Sequence, residues 1–178
     1  MKCPRCIQVI HRAAESCPHC GFSQADAVAL FGQQRPRLRR FSDPVGVFNL
    51  ATRDPIERAI DAFSRRFPQF FVAVHTHSLA APAQLRPYGL WLLNHAQFED
   101  LPAGLENSAG ILWIIDPDTK TAGAVFGYQF ESIIDEADTF ECLARAHAYW
   151  LEGRYFDGLK RLLHHLEIIL IKRGRRRR

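Results

Sequence analysis

Four cysteines near one end of the chain have the spacing of metal ligands: Cys3-Pro4-Arg5-Cys6 and Cys17-Pro18-His19-Cys20-Gly21. A Cys-x-x-Cys turn points two thiolates inward from one knuckle, and two such knuckles complete a tetrahedral Zn²⁺ site. A segment of roughly twenty residues cannot bury a core, so metal binding would supply its folding free energy. Four thiolates leave no open coordination position, which predicts a structural rather than a catalytic zinc. Gly21 suits the tight turn that follows Cys20. A redox dithiol of the thioredoxin kind would need a preceding βαβ pattern, which is missing. His11 and His19 are weaker substitute ligands, and Cys142 reads as a plain, partly buried helix residue.

Other side chains offer chemistry with a less specific pattern. His75 and His77 alternate on an expected strand and therefore share a face. With Asp116 at the end of a neighbouring strand they would make a metal or acid–base site; otherwise they pack at the strand's edge. His164 and His165 are adjacent on a helix, cannot face one ligand together, and read as structural. No Gly-x-Ser-x-Gly segment and no phosphate-cradling glycine loop occurs, which argues against a hydrolase elbow and a P-loop NTPase. The basic groups Arg35, Arg37, Arg39 and Arg40, and Lys172, Arg173 and Arg175 to Arg178, could meet nucleic-acid or lipid phosphates. They lack interleaved aromatic residues, so nucleic acid is not favoured and solvated charge is expected.

The elements that must position these residues follow from the remaining pattern. The chain has 178 residues, 47% of them hydrophobic, which suits one medium domain plus a small module. Its 13 Phe and 3 Trp exclude low-complexity disorder. Residues 1–24 form the ribbon, and 25–40 a short helix with a Pro-interrupted basic linker. Asp54-Pro55 predicts a helix start, followed by Ile56, Ile60, Phe63 and Phe67 at helical spacing. Phe70 to His77 reads as a strand, and Pro82 opens a second helix to about His95. Gly110 to Asp116 is apolar throughout, as a strand buried on both faces would be, and Thr121 to Tyr128 is its hairpin partner. Two helices close the domain, one through Phe140 to Leu151 and one through Phe156 to Leu170. Alternating helix and strand with one hairpin predicts an α/β fold, a three-layer α/β/α sandwich with a Rossmann-like mixed sheet. The formal charge of +4 conceals an acidic body, because residues 41–171 carry 10 Lys/Arg against 17 Asp/Glu. No apolar run approaches the roughly 18 residues of a membrane span, and no secretory leader is seen, so a cytoplasmic protein is expected.

The order of motifs in residues 41–171 resembles a known family. Phe41-Ser42-Asp43-Pro44-Val45-Gly46-Val47 opens the module, and the strand Phe71 to Leu79 follows. A segment with Tyr88, Trp91 and Asn94 precedes Asn107 to Ile115. Gly127-Tyr128-Gln129-Phe130-Glu131-Ser132-Ile133-Ile134-Asp135 comes next, and Glu152 to Leu159 completes the order. This is similar to the TPM domain, whose members include a thylakoid-lumen acid phosphatase and an acetylcholine-receptor auxiliary protein. The resemblance implies an α/β/α sandwich and an acidic pocket built from Asp43 and Asp135, the candidate catalytic carboxylates. Asp116, Tyr128 and Glu131 would join them as a cation- or phosphate-binding cleft for Mg²⁺ or Ca²⁺. Asp43 also reads as a turn residue beside Pro44, and Asp135 as the N-cap of the following helix.

The expected protein is thus a zinc ribbon on a TPM-like domain, with a basic tail over 172–178. A binding or regulatory role is expected, with a protein partner held through the ribbon. The alternatives are a metal-assisted, acid-phosphatase-like hydrolase and a nucleic-acid-associated adaptor.

Overall fold

A computed structural model describes residues 2–11, 13–130 and 133–175. Two Cys-x-x-Cys knuckles come first and lead into α1 (Gln24–Phe31). Ser23 caps α1: its hydroxyl accepts from the Asp26 amide, while Asp26 accepts from the Ser23 amide at 2.8 Å.

The segment expected to be a solvated linker is built into the body instead. Residues Arg37–Leu38 form β1, which pairs in parallel with β4 (Gln97–Phe98). Arg40 is then tied down on several sides. Its amide donates to Asp100 at 2.8 Å, and its guanidinium donates to Ser64 at 3.0 Å and to Asp61 at 2.8 Å. Arg39 lies 3.7 Å from Asp100 and 3.9 Å from Glu57. Sequence composition exposes the charge of this cluster but not the carboxylates that meet it from α2 (Leu50–Arg66) and from the loop after β4.

The main sheet has the order β2 (Phe41–Ser42), β3 (Phe71–Thr76), β5 (Gly110–Asp116), β6 (Thr121–Phe126). The first three strands are parallel, and β6 is antiparallel to β5. The mixed sheet and the helices on both of its faces agree with the three-layer sandwich. Strand alternation divides the side chains of β3 and β5 between the faces. Val72, Val74, Ile111, Trp113 and Ile115 join the core under α2, α4 (Glu136–Leu151) and α5 (Tyr155–Arg175). Phe71, Ala73, Leu112 and Ile114 pack under α3 (Leu85–His95), α1 and the ribbon. Gly89 lets α3 approach closely, since a Cβ there would stand 2.6 Å from both Ile114 and Val125.

Two boundaries differ from expectation. Helix α2 begins at Leu50, because Asn49 caps it by accepting from the Thr52 amide at 3.0 Å. Pro55 therefore sits inside the helix, near enough to its start that little of the backbone ladder is lost. Helix α5 continues to Arg175, so Lys172 and Arg173 belong to it rather than to a tail, and Arg176 to Arg178 lie outside the described residues. Among the described residues, no helix is long and apolar enough to cross a membrane.

Candidate metal centre and the sites around the sheet

The two knuckles repeat one backbone pattern. The amide of Ile7 donates to the Cys3 carbonyl at 2.9 Å, as that of Gly21 does to Cys17 at 2.8 Å. The amide of Cys3 donates to Gln8, and that of Cys17 to Phe22. The residue after each second cysteine is left-handed: φ is +66° at Ile7 and +72° at Gly21. Glycine takes this conformation freely, whereas a β-branched residue is strained there.

The pattern aims four sulfurs at one point. Cys3 Sγ lies 3.7 Å from Cys20 Sγ, and Cys6 Sγ 3.6 Å from Cys17 Sγ. All four lie within 4.8 Å of one another. Tetrahedral zinc with bonds of about 2.3 Å requires sulfur–sulfur edges of about 3.8 Å, so the donor set fits a structural Zn²⁺. The thiols also couple to one another. The Gln8 amide opposes it, but burial and the neighbouring thiols push Cys6 up to about 12. At Cys17 burial raises the pKa, yet the His19 and Cys20 amides and the Cys6 and Cys3 thiols together bring it down to about 6. Close packing of four would-be anions is what a bound cation relieves.

Among the described residues, the expected carboxylate cleft is not assembled. Among the described residues, the cysteines are the one group in which three or more His, Cys, Asp or Glu ligand atoms converge. Asp43 lies just past β2, at the carboxyl end of the parallel strands, and its oxygens are fully engaged. Oδ1 accepts from the amides of Gly46 and Val47 at 3.0 and 3.1 Å and from Thr76 Oγ1 at 2.6 Å; Oδ2 accepts from the Phe48 amide at 2.9 Å. Asp116 is buried at the same end. It accepts from the amides of Leu79, Asp118 and Thr119, which together outweigh the effect of burial and lower its pKa. Tyr128 is at the opposite end, because antiparallel β6 carries the chain back to the start of β5, where the Gly127 amide donates to Gly110. Asp135 caps α4 with Asp138 in a reciprocal box, and Arg173 on α5 lies 2.6 Å from it. The Asp138 amide is the main cause of its lowered pKa. Glu131 lies outside the described residues.

His75 and His77 do share a face, and the structure adds a residue that motif reasoning did not single out as a partner. Tyr88 on α3 lies over both: its hydroxyl is 3.0 Å from His75 Nε2, and its ring stacks on His77 at 4.3 Å and 14°. His75 is only 4% exposed, and its Nδ1 has no hydrogen-bond partner. Burial, reinforced by His77, pushes His75 down to about 4. Burial likewise lowers His77, against the attraction of Asp116, and raises Tyr88 to about 12. The pair is therefore neutral packing material at pH 7. The hint lay in the spacing of Tyr88, Trp91 and His95, which sets a row of rings along α3. Phe31 of α1 rests on that row, 5.3 Å from Tyr88 and 5.8 Å from Trp91. Trp91 Nε1 donates to the Gly32 carbonyl at 3.0 Å. The ribbon and α1 are thus fastened to the body.

No family model matches the chain, and no curated protein matches it either. Solved structures share its fold, two of them N-terminal domains. The N-terminal domain of a P. gingivalis protein, solved by NMR, superposes with a TM-score of 0.60 at 18% identity, covering 84% of this chain and 91% of its own. The N-terminal domain of the cg2496 protein of Corynebacterium glutamicum superposes with a TM-score of 0.53 at 14% identity, covering 71% and 76% respectively.

Proposed function

We propose that the protein is a cytoplasmic binding or regulatory module in which a Zn²⁺-loaded ribbon, mounted on a TPM-like domain, docks a protein partner. The observation that carries this reading is the first knuckle. Ile7 holds a left-handed backbone that a β-branched side chain resists, and its side chain is exposed. Val9, two residues on, is 71% exposed. Strain retained in an exposed apolar tip is characteristic of a surface kept for contact rather than for stability. Zinc held by Cys3, Cys6, Cys17 and Cys20 would fix the knuckle's shape and supply the ribbon's folding free energy.

The ordered motifs from Phe41 to Leu159 support the TPM-like assignment, and the α/β/α fold agrees with it. The hydrolase alternative needs Asp43 and Asp135 free to meet a substrate or metal. Both are engaged, Asp43 by three amides and a hydroxyl and Asp135 by its helix and Arg173. An adaptor that used the basic cluster at 35–40 would have to draw Arg39 and Arg40 away from the carboxylates they already meet.

The test compares immobilised protein with an Ile7→Asp/Val9→Asp variant that retains one zinc per chain. A partner captured by the first and lost by the second is the expected result. Equal capture by both would overturn the knuckle's role. Metal-dependent hydrolysis of an aryl phosphate that disappears in Asp43→Asn/Asp135→Asn would replace the binding module with the hydrolase.

A further inference from the structure

At the turn joining α4 to α5, a cavity of about 310 Å³ is lined by Tyr149, Arg154, Asp157, Lys160, Arg161 and His164. The surrounding body is acidic, with 10 Lys/Arg against 17 Asp/Glu over residues 41–171, so three cations around one cleft reverse the local sign. Asp157 is the one carboxylate in the lining. It bridges Arg154 and Lys160 at 3.0 Å each, and Glu152 makes a second contact to Arg154 at 3.3 Å. Arg161 and His164 have no hydrogen-bond or ion-pair partner among the described residues.

Two guanidinium groups stand around one ring. Arg154 is 4.9 Å and Arg161 6.0 Å from the centroid of Tyr149. An aromatic face holds the Arg161 guanidinium in place while leaving its N–H donors available, whereas those of Arg154 also donate to Asp157 and Glu152. Arg161 and His164 are one turn apart on the exposed side of α5, so their side chains reach the same space. The start of α5 at Tyr155 adds its partial positive charge. Close packing of the two helices shapes the floor: a Cβ on Gly158 would collide with Trp150. The Tyr155 ring lies 6.0 Å from that of Phe48, just beyond β2. That places the turn near the carboxyl end of β2, with the cleft on the helices beside it.

We infer that this cleft binds a phosphate-bearing ligand, with Arg154, Lys160, Arg161 and His164 surrounding a tetrahedral oxyanion. Donors arranged about a space suit three or four phosphate oxygens better than the two coplanar oxygens of a carboxylate. The volume accommodates a small phosphomonoester, and the same donors would take the phosphate of a lipid headgroup. The site is separate from the ribbon and does not depend on the partner-docking reading.

The experiment titrates the zinc-loaded full chain with inorganic phosphate and with glycerol phosphate, followed by amide chemical shifts and calorimetry. An Arg161→Gln/His164→Gln variant is compared with an Arg65→Gln control on α2. Saturable binding that shifts amides from 149 to 164, falls by about tenfold or more in the double variant and survives in the control is expected. A parallel arm sediments phosphatidylglycerol and phosphatidylcholine vesicles with the same proteins. Variant-sensitive binding to phosphatidylglycerol vesicles, without binding of the free phosphates, assigns the cleft to a headgroup. Saturable binding of free phosphate alone assigns it to a soluble ligand. No binding in either arm, or equal losses in the variant and the control, would overturn the inference.

Discussion

The two faces of the central sheet are covered by different material. Under α2, α4 and α5, the strands meet hydrocarbon: Ile56, Ile60, Phe63, Phe130 and Leu162 are almost fully buried there beside Trp113. Under α3, the covering is assembled from an aromatic row, a buried imidazole and a four-cysteine ribbon whose Cys3, Cys17 and Phe22 belong to the same cluster as Leu112 and Ile114. The first face depends on burial alone, which neither chelators nor mild acid alter. The second contains four converging thiols, which a Zn²⁺ would hold together, and a neutral histidine. One sheet therefore carries an unconditional face and a conditional one.

The sharpest way to break this contrast is to remove the metal. Ribbon folding that draws on zinc binding forfeits about 10 kcal/mol or more when the metal is withdrawn. Chelation, or Cys17→Ser, should release the Phe31 and Gly32 contacts to Trp91, seen as a red shift in tryptophan emission. Amide exchange should rise in the ribbon, α1 and α3 while α4 and α5 stay protected. Loss of protection in α4 and α5 at the same chelator concentration would show that the faces unfold as one unit.

Acid should act next, and on the same face. His75 is held neutral with its pKa near 4, against 6.5 when exposed. Below pH 6.5 the unfolded chain takes up a proton that the folded chain refuses, so stability falls as pH drops from 6.5 towards 4. The full difference is about 3 kcal/mol. Denaturant unfolding at pH 7 and pH 4.5 measures it, and His75→Leu should remove most of the slope. A slope unchanged in that variant would move the acid sensitivity elsewhere.

The smallest effect sharpens the comparison within the ribbon itself. Ile7→Gly relieves the left-handed strain and makes the first knuckle resemble the second. It should strengthen zinc retention against a competing chelator by about 1 kcal/mol, or roughly fivefold. The same substitution should weaken partner capture, because the exposed side chain is lost. Improved retention with undiminished capture would leave Val9 as the contact residue.

The sequence alone determined what is local. Two Cys-x-x-Cys turns specify their own geometry, since the ligands in each pair are three residues apart. The apolar run Gly110–Asp116 announced a strand buried on both faces, and Ser23 and Asp135 announced helix starts. The resemblance also brought Asp43, Asp116 and Asp135 forward, but chemistry between them required proximity, which spacing along a chain does not encode. Tertiary structure decided that β6 runs antiparallel and takes Tyr128 away from Asp43 and Asp116. It also decided that Arg40 meets Asp61 and Asp100, and that Tyr88 lies over His75. Arg161 and Tyr149, twelve residues apart in the sequence, face one cleft only because the chain reverses at Gly153 and α5 packs closely on α4 at Gly158. Each of these depends on packing between distant segments, where burial and register rather than local propensity fix which side chains meet.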